Sequence, residues 1–305
     1  MKSYFKIVVL FLLFNFNSVF SQNINVVRDA EIESFMKDLA KPILDLVEVD
    51  SGSVKFYLDN QTYINAFVIP GPSIFLTKEL LTKTKNIDEV ASVIAHEIGH
   101  VTGGHFNKIK EAAKDSSITT ILSTILAAGA FALGAPDAGT AVIMGGQHIS
   151  SRQMLSFSRN QESFADQAAI KTLKLAGYDL YGMYTMFNLL SKRERLSKFN
   201  PYNQTHPLSS ERKRIIQFHL SSLDTDENLQ QNTLDKINLE HRFKLVQAKL
   251  IGYFENKETF DMYYPNPSSL DELYGQTFQL LKTGNITRAL AVSYTHLTLP
   301  TMFEV

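Results

Sequence analysis

Hydrophobic positions along the chain define helical stretches and a few short extended ones. From Asp29 to Val47 the apolar residues recur with helical spacing, and Pro42 is expected to interrupt this helix. Three short apolar runs bounded by turn residues predict strands. The strands are expected at 54–58, 64–69 and 73–76, and further helices at 78–81, between Asn86 and Val101, at 162–176, at 181–190, from 210 onward and within 224–253. The pattern predicts an α+β protein that is mainly helical, with a small antiparallel sheet.

Residues 1–21 have the pattern of a secretory signal peptide. A basic start and an apolar run over 7–14 precede small residues at the two positions that a signal peptidase reads, so cleavage is expected after Ser21. A membrane anchor is the alternative, but Asn15 and Asn17 end the run short of the roughly 20 apolar residues that a span needs. We therefore expect a periplasmic protein.

The other end of the chain is expected to be foreign to the natural protein. Residues 292–301 match, in order, the translation of a transposase-based sequencing adapter. We therefore interpret 292–305 as an artefact and do not count His296 as a candidate ligand. The natural sequence is expected to continue beyond Ala291.

Composition narrows the kinds of chemistry available. Apolar residues make up 44% of the chain and charged residues 20%, which excludes a disordered protein. With a net charge of −1, no basic surface for nucleic acid is expected. The chain has no cysteine, so disulfides, thiol nucleophiles and cysteine-ligated zinc are excluded. Any metal must be held by His, Asp or Glu.

Residues 118–146 form an apolar stretch rich in Ala, Gly, Ser and Thr. Its first segment, 118–133, is short for a membrane span, and small residues favour close helix packing. We predict a buried or interface-lying helical hairpin that can contact a membrane peripherally. Membrane insertion is the alternative.

His96-Glu97-Ile98-Gly99-His100 forms an HExxH motif on the helix that begins at the Asn86 cap. Histidines at i and i+4 lie on one helix face, about 6 Å apart, so that both imidazoles can reach one zinc ion. Glu97 lies to the side, where it can accept a proton from the attacking water. This motif predicts a zinc-dependent hydrolase.

A catalytic zinc site needs a third protein ligand as well. The metzincin extension HExxHxxGxxH is rejected, because Gly103 fits but Phe106 stands at the final position and His105 falls one residue short. Glu162 and Asp166 fit the gluzincin pattern, since residues four apart face the same way on a helix. Glu162 would bind zinc, and Asp166 would accept the outer N–H of a ligand histidine. We interpret His105 as an outer partner or a structural residue.

Four motifs, taken in order, resemble the landmarks of a known protease family. They are Asn65-Ala66-Phe67, the segment 92–101 around HExxH, the segment 158–166 around Glu162, and Thr205-His206-Pro207. Over about residues 30–255 the chain is similar to the HtpX/CAAX-prenyl-protease family of zinc metalloendopeptidases. It looks most like the soluble periplasmic branch typified by BepA, which carries tetratricopeptide repeats. Unlike the integral-membrane branches, it lacks long hydrophobic spans outside its signal.

The resemblance implies roles for individual residues. His96, His100 and Glu162 match the zinc ligands, and Glu97 matches the general base. His206 matches a histidine near the metal that either steadies the oxyanion or closes the open position in a latent state. The resemblance also implies that Arg212 supports this site and that Asn65, Ala66 and Phe67 lie on a strand lining the substrate cleft.

The expected organisation follows from these assignments. A signal peptide at 1–21 precedes a gluzincin-type metallopeptidase domain at 22–255 and the truncated start of a tetratricopeptide-like helical region at 256–291. The resemblance implies one zinc ion per chain, polypeptide substrates such as misfolded or stalled envelope proteins, and a link to outer-membrane assembly through the missing repeats. A chaperone or assembly factor with a largely latent zinc site is the alternative function.

Overall fold

A computed structural model describes most of the chain between residues 25 and 294. The described residues are 25–69, 71–105, 108, 159–196, 206, 208, 210–222 and 234–294. The predicted signal peptide, the 118–146 hairpin and the adapter-like residues from 295 onward lie outside the described residues.

The described residues form a small sheet surrounded by helices, which confirms the predicted α+β, mainly helical class. The strands are β1 (Val26–Val27), β2 (Lys55–Asp59), β3 (Ala66–Ile69) and β4 (Ser73–Thr77). The helices are α1 (Ala30–Leu46), α2 (Lys78–Lys83), α3 (Ile87–Thr102), α4 (residues 159–175), α5 (Leu180–Leu196), α6 (Ser210–Ser221), α7 (Leu234–Phe254), α8 (Lys257–Tyr263), α9 (Leu270–Lys282) and α10 (Ile286–Ser293). No helix in this described part is long and apolar enough to cross a membrane.

The sheet is mixed, and not purely antiparallel as predicted. Its strand order is β1-β2-β4-β3, with β1–β2 and β3–β4 antiparallel and β2–β4 parallel. Gly71, with φ of +84°, lies in the turn that returns β4 along β3, so β4 enters the sheet between its two predecessors. Alternation of apolar residues predicts a strand but not its neighbour, which is why the parallel pair was missed.

Helix α1 continues through Pro42, contrary to the expected interruption. A proline inside a helix removes one backbone hydrogen bond and costs about 3 kcal/mol. The apolar face of α1 offsets this cost, since each fully buried large side chain contributes about 1.5–3 kcal/mol. The buried residues of this face are Ile32, Phe35, Met36, Leu39, Ala40, Ile43 and Leu44. Asp29 caps the start of α1 by accepting hydrogen bonds from the backbone N–H groups of Glu31 and Ile32.

Helix α3 occupies the centre of the domain. The Asn86 side chain caps its start by accepting a hydrogen bond from the backbone N–H of Glu89 at 3.0 Å. Nearly the whole helix is buried, because α1, β3 and α5 all pack against it. This surrounding shell fixes the direction of every side chain that α3 contributes to the site.

The C-terminal helices pack onto the protease core through α7. The ring of Phe243 on α7 stacks on Phe35 of α1, with centroids 5.8 Å apart. Helices α7 and α9 approach closely at Gly252, where a Cβ atom would lie 2.1 Å from the carbonyl oxygen of Gly275. Helices α9 and α10 form a hairpin through Gly284, whose φ of +76° suits glycine. The assignment of this hairpin to a tetratricopeptide-like region stays a prediction.

Candidate active site

Helix α3 brings both histidines of the HExxH motif to one buried point. The Nε2 atoms of His96 and His100 lie 3.1 Å apart, as the one-turn spacing predicts. The residues are only 3% and 8% exposed, respectively. Two imidazole nitrogens that face each other in a buried site can share one bound cation.

Helix α4 places Glu162 against these histidines. Its Oε2 atom lies 3.3 Å from His96 Nε2, and its Oε1 atom lies 3.3 Å from His100 Nε2. The approach depends on Gly99, because a Cβ atom there would lie 2.9 Å from both Cα and the carbonyl oxygen of Ala165. A side chain at position 99 would therefore push α4, and the Glu162 carboxylate with it, away from α3.

His206 completes a group of four buried donors. Its Nδ1 atom lies 3.3 Å from His96 Nε2 and 3.3 Å from Glu162 Oε1. The four side chains His96, His100, Glu162 and His206 are buried, and their donor atoms all lie within 4.8 Å of one another. The family resemblance leaves two roles open for His206, which either steadies the oxyanion or closes the open position, and the structure brings its ring into contact with His96 and Glu162.

The spacing of these donors fits a tetrahedral metal ion. A tetrahedron with metal–ligand bonds of about 2.0–2.1 Å, as for zinc with His and carboxylate ligands, has edges of about 3.3 Å. The nitrogen donor of His96 lies 3.1 Å from that of His100 and 3.3 Å from that of His206. Glu162 approaches His96 through Oε2 and both His100 and His206 through Oε1, at 3.3 Å each. The residues present therefore fit a four-coordinate cation.

Asp166 and Arg212 support this cluster from outside. One Asp166 oxygen lies 3.0 Å from His96 Nδ1, the ring nitrogen that faces away from the donors. Arg212 donates two hydrogen bonds to the Asp166 carboxylate, at 2.6 and 2.8 Å, and its Nη1 atom lies 2.8 Å from Glu162 Oε2. Removing one partner from a buried pair of this kind costs about 3–5 kcal/mol. Arg212 thereby ties α6 to both carboxylates of α4.

The electrostatics favour positive charge at the centre of the cluster. Burial alone would raise the pKa of Glu162, but His206, His100 and His96 outweigh it and hold this pKa well below its usual range. Burial alone would lower the pKa of His96, but Asp166 and Glu162 outweigh it and raise this pKa to about 10. Either a proton or a metal cation can supply this positive charge, and the two compete for the ring nitrogens.

Glu97 lies beside the donors and is not one of them. Its carboxylate is fully buried, and neither oxygen has a hydrogen-bond partner among the described residues. The Oε1 atom lies 3.4 Å from His206 Nε2. A buried carboxylate without a hydrogen-bond donor next to a metal-binding cluster is suited to accept a proton from a molecule that enters the site.

The predicted substrate strand lies next to the HExxH helix. Strand β3 packs against α3 and forms one edge of the sheet as described, pairing with β4 through Ala66–Leu76 and Phe67–Phe75. The side chains of Asn65 and Ala66 are fully buried. The backbone edge of β3 that faces away from β4 has no strand partner among the described residues.

Two supporting residues near the cluster were missed by sequence reasoning. Gln161 donates a hydrogen bond to the backbone carbonyl of His105 at 3.3 Å. The Phe187 ring lies under the Arg212 guanidinium, 5.5 Å from ring centroid to Cζ. Gln161 directly precedes Glu162 within the recognised motif, which was the available signal. No sequence signal pointed to Phe187, because its position depends on how α5 and α6 pack together.

Comparisons with known proteins agree with this arrangement. Residues 27–218, more than half of the chain, match the model of Peptidase family M48. The chain is 30% identical over 190 residues to the beta-barrel assembly-enhancing protease of Escherichia coli K12, covering 61% of this chain and 38% of that protein. It is 29% identical over 154 residues to the mitochondrial metalloendopeptidase OMA1 of Schizosaccharomyces pombe, covering 50% and 42% of the two chains. It is also 27% identical over 159 residues to the metalloprotease LoiP of Escherichia coli K12, covering 52% and 60%.

The matched region contains all the motifs that carried the family resemblance. It includes the HExxH helix, the Glu162 helix and the segment from His206 to Arg212. The chain spans less than two fifths of the length of the beta-barrel assembly-enhancing protease. The resemblance to zinc metalloproteases is confirmed, and the chain belongs to peptidase family M48.

Proposed function

We propose that this chain is a zinc-dependent metalloendopeptidase of the bacterial envelope. The observation that carries the proposal is the buried group of four donors, whose atoms all lie within 4.8 Å of one another, with Glu97 beside it. Membership of family M48 and relatives named as proteases support peptide-bond hydrolysis. They favour this function over that of a chaperone with a latent site.

In this proposal His96, His100 and Glu162 hold the zinc ion. When bound, zinc polarises the scissile carbonyl and makes water easier to deprotonate. Glu97 accepts the proton of the attacking water and passes it to the amine that leaves. Asp166 accepts the outer N–H of His96 and keeps that ring in the tautomer a metal needs, while Arg212 holds Asp166 in place.

His206 is proposed to close the site in a resting state. Its two ring nitrogens support this, because Nδ1 contacts the donors while Nε2 lies 3.4 Å from Glu97. A histidine there occupies the space in which water would meet both the metal and its base. Displacement of His206 would then accompany activation.

Substrates are proposed to be polypeptides in extended form, bound along the outer edge of β3 as an added strand. Envelope proteins that are misfolded or stalled are the proposed class. The support is the similarity to relatives such as the beta-barrel assembly-enhancing protease of Escherichia coli. Periplasmic location and a link to outer-membrane assembly are proposed on the same ground.

Cleavage of casein by the full chain tests the proposed function. We expect cleavage that stops when a chelator removes the metal and returns when one equivalent of zinc is added, because the donors bind a single ion. Cleavage that continues after complete metal removal would contradict a zinc-dependent mechanism.

His206→Ala is expected to raise basal casein cleavage, because it removes the proposed latch. If the latched state outweighs the open one by about ten to one, the increase is about tenfold. Initial rates for wild type and variant, each at measured zinc content, provide the test. A decrease in turnover of about 10²–10³-fold would instead assign His206 to the oxyanion. Unchanged rates would exclude both roles.

A further inference from the structure

The second histidine of the HExxH motif has an outer partner of its own. The Nδ1 atom of His100 lies 2.8 Å from Nδ1 of His105, while its Nε2 atom faces the donor cluster. We propose that His105 is a positioning residue that accepts the outer N–H of His100 and so orients that ring toward the metal. This inference rests on the proposed zinc site.

The tautomers follow from the direction of the rings. A histidine that binds a metal through Nε2 carries its proton on Nδ1, and the partner of that N–H fixes both tautomer and orientation. For His96 the group facing Nδ1 is the Asp166 carboxylate, with one oxygen at 3.0 Å. For His100 it is Nδ1 of His105, which must therefore be the acceptor and carry its own proton on Nε2. One ligand thus has an anionic partner and the other an imidazole.

A turn at the end of α3 brings His105 to this position. On a straight helix, residues five apart differ in direction by about 140°, so His105 would face away from His100. Helix α3 instead ends at Thr102, and Gly104 adopts a left-handed conformation with φ of +61°. The chain therefore folds back and returns the His105 ring to the ligand.

The His105 ring is held by packing on several sides. Its backbone carbonyl accepts a hydrogen bond from Gln161, and the Phe164 ring contacts it edge-on, with centroids 5.3 Å apart. The ring lies directly over Gly103, where a Cβ atom would be 2.3 Å from His105 Nε2. His105 is 4% exposed. These contacts give the imidazole a defined place beside His100.

Zinc affinities of paired substitutions test the proposal. His105→Leu removes the acceptor at similar volume, whereas His105→Asn keeps an acceptor atom at the δ position. Loss of an outer partner typically weakens metal binding about 10–100-fold, so His105→Leu should raise the zinc Kd by that factor. His105→Asn should bind zinc more tightly than His105→Leu. A packing role would give the opposite order, because leucine fills the buried space better than asparagine.

Gly103→Ala provides an independent probe that keeps the imidazole. The φ and ψ of Gly103, −70° and −10°, suit alanine, and the three atoms nearest to the new methyl group all belong to the His105 ring. Like His105→Leu, Gly103→Ala should raise the zinc Kd. His241→Leu, at an exposed position on α7, is the control and should leave the Kd unchanged.

The Kd values are measured by competition with a chromophoric chelator on the full chain, with thermal unfolding of the metal-free proteins to compare folding. A zinc Kd for His105→Leu equal to that of wild type, or a weaker Kd for His105→Asn than for His105→Leu, would overturn the inference and leave the proposed function intact. A wild-type chain that binds no zinc would overturn both.

Discussion

Glu97→Gln is expected to keep the bound metal and to lose proteolysis by about 10²–10⁴-fold, the usual contribution of a positioned general base. Glutamine has the shape of glutamate, but its neutral amide cannot accept the proton of the attacking water. The four donors do not include Glu97, so their geometry should survive the change. Initial rates of casein cleavage, taken at equal zinc content, measure the effect.

Glu258→Gln is the matched control for this change. Glu258 lies at an exposed position in the first turn of α8, outside the site, so its variant should cleave casein at the wild-type rate. Equal rates for Glu97→Gln and wild type would show that Glu97 is not the base. A Glu97→Gln protein without zinc would instead show that Glu97 contributes to metal binding.

The double variant His96→Ala, Glu162→Ala is expected to lose its zinc. It removes two of the four donors and leaves His100 and His206. Loss of an outer partner alone weakens metal binding about 10–100-fold, so loss of two direct ligands should exceed about 10²-fold. Competition with a chelator measures this affinity. The control is His241→Ala, Glu258→Ala, which changes the same residue types at exposed positions and should bind zinc like wild type.

Helical periodicity predicted the elements that hold the site, because long amphipathic helices have a strong repeating signal. It predicted α3 with its Asn86 cap closely, and the buried face of α1. The parallel pairing of β2 with β4 could not be predicted, because strand order depends on contacts between segments that are distant in the chain. The expected interruption at Pro42 is wrong, because the buried apolar face of α1 offsets the local cost of the proline.

In the site too, contacts within one helix could be predicted from the sequence, whereas contacts between distant segments could not. The contact between His96 and His100 follows from one helical turn, and Glu162 with Asp166 from another. The close approach of α4 to α3 requires that residue 99 is a glycine, without a Cβ atom. The sequence alone does not show that the two helices meet at Gly99. The contact of His105 with His100 depends on the left-handed turn at Gly104, so the spacing of the two histidines in the sequence did not predict it.

Zinc content per chain, determined by elemental analysis after dialysis, tests most directly whether these residues form a catalytic zinc centre. We expect one zinc ion per chain in wild type and in Glu97→Gln, and none in His96→Ala, Glu162→Ala, with casein cleaved efficiently by wild type alone. Undiminished zinc in the double variant would contradict the assignment of the ligands.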